Sequence, residues 1–248
     1  IVIKTLNIRK LLSEIVSRFY KLKPKNIIAV TGTNGKTSVA DFYYQILNIN
    51  KIKAASIGTL GIKYNNKIIK NNLTSPDTIT LHKNLEVLKK NNINNVIIEA
   101  SSHGLAQKRL NNLNFKAGIF TNFSQDHLDY HKTMKAYLNA KMILFSHLLP
   151  KNSYIISDQS NKQFSILKKI SKRKKLKLLD IQKKINQIKK ISTLFPSYYQ
   201  QKNLSMAIMA AQLCGLKDNK IKSTLKKIKG INGRFELIKK YPNNIKIY

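Results

Sequence analysis

The run Thr31-Gly32-Thr33-Asn34-Gly35-Lys36-Thr37-Ser38 carries the strongest chemical signal in this sequence. It lies between a continuous apolar run, Asn26–Thr31, and a segment from Lys36 to Leu47 with a helical pattern. Glycines let a backbone wrap closely around phosphates, and a helix N-terminus offers unsatisfied N–H groups and the positive end of the helix dipole. A lysine at position 36 reaches the β- and γ-phosphates of a nucleoside triphosphate, and the Thr37 hydroxyl can ligate Mg2+. The loop departs from the general G-x-x-x-x-G-K-[ST] form, because Val30 stands where the first glycine falls.

Such a loop needs a buried strand before it and a helix behind it. The run 26–31 followed by the helix makes the first half of a βαβ unit. The alternation continues with a strand over 52–57, a hairpin over 61–70 turning at Asn65-Asn66, and a helix over 78–90. Next come strands at 95–100 and 117–121, a helix from about 133 to 145, strands at 153–157 and 176–179 and a helix at 161–170 between them. Helices near 200–214 and 218–228 close the pattern, and a short helix within 6–20 precedes it. Strands alternating with helices predict an α/β fold with a doubly wound, mostly parallel sheet and sites at the carboxyl ends of its strands. The lysine-rich stretch 168–190 has low complexity but is too apolar to be read as disordered.

Hydrophobic content of 42% over 248 residues is enough for a proper core. The formal charge of +35 points at first to nucleic acid or an anionic surface. Yet arginine, the side chain best suited to reading phosphates and bases, occurs only at positions 9, 18, 109, 173 and 234. The lysines are spread along the chain among Asn and Ile, as in Lys89-Lys90-Asn91-Asn92-Ile93, which reads as a solvated basic surface. Cys214 has no partner for a disulfide, which fits a reducing cytoplasm. No run reaches the length of a membrane span, so stable membrane insertion is not expected. The chain opens on Ile1 rather than Met and stops at Tyr248 inside a strand-like run, which predicts a fragment of a longer protein.

Beyond the loop, the segments Thr74-Ser75-Pro76-Asp77, Glu99-Ala100-Ser101-Ser102-His103-Gly104-Leu105 and Phe120-Thr121-Asn122-Phe123-Ser124-Gln125-Asp126-His127-Leu128-Asp129-Tyr130-His131 follow in a characteristic order. Together with TGTNGKT[ST] they resemble the Mur ligases, most of all the branch that adds the third residue of the peptidoglycan stem peptide. The resemblance covers most of the chain and implies the central ATP-binding domain at 25–232. It makes 1–24 the end of an N-terminal UDP-binding domain and 233–248 the start of a C-terminal one.

Glu99 ends a buried strand beside the loop strand, where a carboxylate can hold the Mg2+ of a nucleotide. The resemblance makes His127 and a carbamylated Lys141 ligands of a second Mg2+, and sets Thr74, Ser75, Ser101, Gln107 and Arg109 against a UDP-muramyl-dipeptide. It places Asn203 at the adenine, with Gln200 and Ser197 replacing the other members of the family's G-x-x-N-x-x-N pattern, and brings Arg234 near the nucleotide. The implied activity is ATP-dependent amide formation through an acyl phosphate, by a cytoplasmic monomer with no nucleic-acid partner. A segment 180–199 shorter than the family's usual connection implies that part of a secondary sheet is missing. Two alternatives stay open: a folylpolyglutamate synthetase-like ligase and a basic nucleic-acid-binding P-loop NTPase, the latter predicting duplex-stimulated hydrolysis with steep salt dependence.

Overall fold

The computed structural model describes residues 4–191, 197–231, 239–240 and 246–247. Its centre is β1 (Asn26–Thr31), whose side chains are buried on both faces from Ile27 onward. A strand flanked on both sides must be apolar at every position, which is why this run is continuous rather than alternating. Five strands run parallel around it: β2 (Ala54–Gly58), β5 (Asn95–Glu99), β6 (Phe115–Phe120), β7 (Tyr154–Ser157) and β8 (Lys177–Asp180). An antiparallel hairpin, β3 (Gly61–Tyr64) and β4 (Lys67–Ile69), completes this eight-stranded sheet, and β9 (Lys239–Lys240) pairs with β10 (Lys246–Ile247) in a separate antiparallel one. Its turn is Asn65-Asn66, both with positive φ (46° and 59°), the left-handed pair that a two-residue hairpin needs. The sheet order is β4-β3-β2-β5-β1-β6-β7-β8.

Two apolar layers enclose the sheet. On one face Ile28 and Val30 of β1 pack against α2 (Lys36–Ile49), α8 (Gln182–Ile191), α9 (Tyr198–Leu213) and α10 (Ile221–Leu225). On the other, Ile27 and Ala29 pack against α3 (Thr78–Lys90), α7 (Phe164–Lys174) and the π-helical turn Leu144–Leu148 that extends α6 (Met134–Ile143). The alternation of β1 thus sorts its residues into two separate cores. An N-terminal helix, α1 (Ile8–Phe19), buries Ser13 and Val16 and lies beside α3. Two short helices, α4 (Ser102–Ala106) and α5 (Leu128–His131), follow β5 and β6.

The predicted strands and hairpin are present, and the helix over 78–90 has the expected ends. Its N-cap is Asp77, whose carboxylate accepts from the amide of Thr80. The stretch read only as low complexity holds α8, anchored by Ile181, Ile185 and Ile188, each at most 1% exposed. Between 180 and 191 the chain is helical after β8, with no strand pair among the described residues of that stretch. Arg234 and its neighbours lie outside the described residues, as does most of the proposed C-terminal start at 233–248.

The strand order fixes where a ligand can sit. From β1 the chain moves to β2 on one side, and after β5 it crosses to β6 on the other. The helices following β1 and β6 therefore diverge and open a crevice at the carboxyl ends of β5, β1 and β6. Register brings Glu99 level with Val30, and Phe120 level with Thr31, so the loops leaving all three strands start at the same height.

His82 on α3 is fully buried, and its Nε2 donates to the carbonyl of Asn111 (3.3 Å) while Nδ1 has no partner. Desolvation, then the charge of Lys23, pushes its pKa from 6.5 down to about 4, against a smaller pull upward from the Asn111 carbonyl. The folded state thus binds fewer protons than the unfolded chain, so the contribution is fully present above pH 6.5 and is lost as pH falls toward 4. Between pH 7 and 5 this costs about 1–2 kcal/mol. Thermal unfolding of His82→Leu should therefore lose less stability over that interval than the unmodified chain; an unchanged slope would remove His82 as the cause.

Candidate active site at the P-loop

The loop after β1 is moored to the loop after β6. The amide of Thr33 donates to the carbonyl of Asn122 (3.0 Å), and the amide of Asn34 to the Asn122 side-chain oxygen (2.9 Å). Thr121 Oγ1 donates to the carbonyl of Asn34 (2.6 Å), and Ser124 and Thr33 exchange two bonds through the Thr33 hydroxyl (3.0 and 3.2 Å). This approach requires glycine at position 32: a Cβ there would lie 1.8 Å from Thr121 Oγ1, and φ is 149°. Gly35, with φ 85°, turns the chain into α2 and is packed against Asn203 of α9. The turn points the first N–H groups of α2 into the crevice.

Lys36 Nζ donates to the carbonyls of Gly32 (3.0 Å) and Thr33 (2.7 Å), folded back over its own loop. Thr37 Oγ1 donates to Glu99 Oε2 (2.9 Å). Glu99 is 1% exposed, and Thr59 holds it from the far side through its amide (2.9 Å) and hydroxyl (3.2 Å). Burial raises its pKa, while the bonds from Thr59 and Thr37 and the charge of Lys36 pull it down. Gly58 makes room for it, since a Cβ at that position would meet Glu99 Oε1 at 2.0 Å.

Lys141, on α6, is 1% exposed and donates to the carbonyl of Gly32 (2.7 Å) above the ring of Tyr137 (4.3 Å to the centroid). Desolvation, reinforced by the charge of Lys36 and opposed by Asp126, lowers its pKa from 10.5 to about 7. The Tyr137 hydroxyl donates to Thr33 Oγ1 (3.3 Å), so α6 touches the P-loop twice. His127, at φ 51°, packs edge-on to His103 (5.0 Å) and Tyr137 (5.8 Å). Burial leads the downward shifts of His103 and His131, which share this aromatic cluster with Tyr130.

A third group leads away from the phosphate loop. Thr74 joins Thr59 (3.2 Å), and Ser75 Oγ donates to the Glu99 carbonyl (2.7 Å) while accepting from the Ser101 amide (2.9 Å). Arg109 donates through Nη1 to the Ser75 carbonyl (2.8 Å) and through Nε and Nη2 to Gln107 Oε1 (3.1 and 2.6 Å). Three of its N–H groups are thus engaged within the protein and fix the backbone that presents Ser75.

Two cavities meet at Asn34 and Gly35. One, of about 410 Å³, is lined by Lys36, Thr37, Ser38, Thr74, Ser101, His127 and Lys141 among others. The other, of about 490 Å³, is lined by Asn122, Phe123, Asn161, Tyr199, Lys202 and Asn203 among others. Of the residues singled out in the sequence, 33–38, Thr74, Ser101, His127, Lys141 and Asn203 line these two cavities. Glu99 reaches them through Thr37. Ser75 and Arg109 stand behind Ser101 and Thr74 and line neither cavity, nor does Gln107, and Arg234 lies outside the described residues. Thr59, Asn161, Tyr199 and Lys202 join the lining without a local motif; their signal is spatial.

A glycine loop between a buried strand and a helix, at the switch point of a parallel sheet, defines a P-loop α/β domain. A family model, the Mur ligase middle domain, matches residues 30–227, and the chain belongs to the Mur ligase family. It is 37% identical over 258 aligned positions to the UDP-N-acetylmuramoyl-L-alanyl-D-glutamate--2,6-diaminopimelate ligase of Rickettsia prowazekii (strain Madrid E), covering 94% of this chain and 54% of the relative. The ligase of the same name from Brucella melitensis biotype 1 is 46% identical over 145 residues, 58% of this chain and 30% of that protein. The chain spans about half the length of the curated relatives it matches over most of its own. A solved structure of a UDP-N-acetylmuramoyl-L-alanyl-D-glutamate--2,6-diaminopimelate ligase shares the fold with a TM-score of 0.77 at 24% identity, over 94% of this chain and 52% of that one. E. coli FolC in complex with DHPP and ADP shares it at 0.69 and 15% identity, over 97% of this chain and 65% of that one.

Replacing Gly32 tests the mooring directly. Gly32→Ala places a methyl group inside the contact with Thr121, so it should lower the melting temperature and abolish phosphate binding together. Wild-type stability in that variant would contradict the close approach.

Proposed function

We propose that this chain is the ATP-binding part of a ligase that adds 2,6-diaminopimelate to UDP-N-acetylmuramoyl-L-alanyl-D-glutamate in peptidoglycan synthesis. The observation that carries this reading is the convergence of the P-loop, Glu99, Lys141, Thr74 and Ser101 on one crevice. The names of the relatives supply the substrates. Residues 1–24 and 233–248 are the edges of flanking substrate-holding domains, and the enzyme works as a cytoplasmic monomer. The described residues contain no helix long and apolar enough to cross a membrane.

ATP lies across both cavities, its phosphates on the P-loop and its nucleoside toward Tyr199 and Asn203. Phosphate oxygens draw Lys36 away from the Gly32 and Thr33 carbonyls, and its ammonium offsets the charge gathering on the transferred group. The D-glutamate carboxylate, presented beside Thr74, Ser75, Ser101, Gln107 and Arg109, attacks the γ-phosphorus, and ADP leaves with the β–γ bridging oxygen. The free amine of the diamino acid then attacks the acyl carbon; phosphate departs with the C–O bond, the amine loses a proton, and the amide remains. Positioning and charge neutralisation supply the catalysis.

The described residues form no cluster of three or more His, Cys, Asp or Glu that could hold a metal alone. That suits Mg2+, which takes one or two protein oxygens and completes its shell with phosphates and water. Thr37 and Glu99 would hold one ion, His127 and Lys141 a second, and each would neutralise phosphate charge when bound. An ammonium repels Mg2+, and an amine nitrogen is a poor ligand for this hard, oxygen-seeking cation. Reaction of the amine with CO2 forms an N–C bond, releases a proton and leaves an anionic carbamate whose oxygens would suit it. This needs the neutral amine, and burial brings Lys141 to about 7, where a large fraction is neutral at physiological pH. The folylpolyglutamate synthetase reading keeps the fold and the acyl phosphate, but a glutamyl-folate substrate does not call for the segments 99–105 and 126–131 in this form.

Three outcomes test this function. Lys36→Ala should weaken Mg-ATP binding to this chain by at least tenfold in calorimetry; unchanged affinity would sink the phosphate assignment. In the enzyme with its flanking domains, His127→Ala should lower turnover far more than ATP affinity, and a rate within twofold of wild type would return His127 to a packing role. Lys141→Ala should nearly abolish ligation and regain activity with added acetate, whereas full activity without any added anion would rule out the carbamate.

A further inference from the structure

The carboxylate of Asp158 is fully buried, at 0% exposure, and takes part in none of the steps above. It follows β7 and gathers donors from three directions. Lys202 Nζ of α9 donates to Oδ2 (2.5 Å), Gln182 of α8 to Oδ1 (2.6 Å), and the Ser160 amide and hydroxyl to Oδ1 (2.9 Å) and Oδ2 (2.7 Å). These bonds outweigh desolvation and hold the carboxyl below its ordinary pKa, so it is ionised. A buried carboxylate this well paired is stable, but removing Lys202, its cationic partner among the described residues, leaves an uncompensated charge.

Lys202 is committed to that pair. Its Nζ also donates to Ser160 Oγ (3.1 Å) and lies 4.6 Å from the centroid of Tyr198, while its side chain forms part of the wall of the 490 Å³ cavity. The cation facing this cavity is therefore neutralised from behind, which suits an uncharged base and sugar better than phosphate. Tyr199 and Asn203, on the same turns of α9, complete that wall, and Tyr199 is 72% exposed. Asn161, three residues after Asp158, faces them and is fixed by donating to the Thr121 carbonyl (3.1 Å).

A pair that merely fastened α9 to the domain would be redundant. The helix is already held against the sheet by Leu204, Ala207, Ile208 and Ala211, all buried in the core it shares with α2. The ion pair acts instead on its first turns, ahead of that packing. We propose that Asp158 and Lys202 are positioning residues for the nucleoside half of ATP: their bond sets the first turns of α9 and so places Tyr199 and Asn203 against base and ribose. The proposal rests on the reading of this crevice as an ATP site and adds to it the device that shapes the nucleoside end.

The test is calorimetric titration of this chain with ADP and, separately, with inorganic tripolyphosphate, each with Mg2+. Lys202→Met and Asp158→Asn should each weaken ADP about tenfold, and the double variant should be no weaker than the worse single, because the two residues act as one unit. Tripolyphosphate affinity should stay within twofold throughout, and Lys202→Arg should keep most of the ADP affinity. ADP binding within twofold of wild type in Lys202→Met overturns the proposal, as do equal losses of ADP and tripolyphosphate. The double variant leaves no unpaired charge at this site, so it folds even if a single variant does not, and undiminished ADP binding there is equally fatal. An unmodified chain that bound tripolyphosphate but not ADP would instead refute the ATP reading on which the proposal stands.

Discussion

The close approach of two loops at Gly32 is the constraint on which the site depends. Strands β1 and β6 are hydrogen-bonded neighbours that end level, so the loops leaving them compete for the same space. Absence of a side chain at position 32 lets Thr121 and Asn122 sit against the P-loop backbone and tie up the groups of Thr33 and Asn34. The loop is thereby held open before any phosphate arrives, and its ordering cost falls on folding rather than on binding. Lys141 and Tyr137 add a brace from α6, at Gly32 and Thr33.

The same brace explains the electrostatics. A lysine that points at a backbone carbonyl from inside the protein loses hydration without gaining a carboxylate at bonding distance, and the nearby ammonium of Lys36 raises the cost of its charge. Its amine therefore titrates near neutrality in a chain whose formal charge is +35. On the opposite side of the loop, Glu99 is buried among hydroxyl and amide donors from Thr37 and Thr59. One acidic and one basic group, each destabilised in its charged form by burial, thus flank the place where phosphate charge accumulates.

Much of this was legible in the sequence, and the reasons differ by residue. The P-loop could be read because strand, glycine turn and helix are contiguous. The Asn65-Asn66 turn could be read because only a few residue types tolerate two successive left-handed conformations. Glu99 announced itself as a charge ending an apolar strand. Lys141 was marked only by family resemblance, since burial of one lysine among so many leaves no trace in composition. Helix α8 was obscured by lysines, although Ile181, Ile185 and Ile188 keep the spacing of a buried helical face. Thr59, Asn161 and the Asp158–Lys202 pair depend on contacts between distant segments, which only the sheet order creates.

Backbone amide resonances followed during titration with Mg-ADP measure the central claim most directly, because they report where the nucleotide sits without any substitution. Saturating Mg-ADP should shift the amides of residues 32–38 most strongly, with Asn122 and Asn203 following and the amino-terminal ends of the strands unmoved. Saturable binding that left residues 32–38 unperturbed would contradict the assignment of this crevice as the nucleotide site.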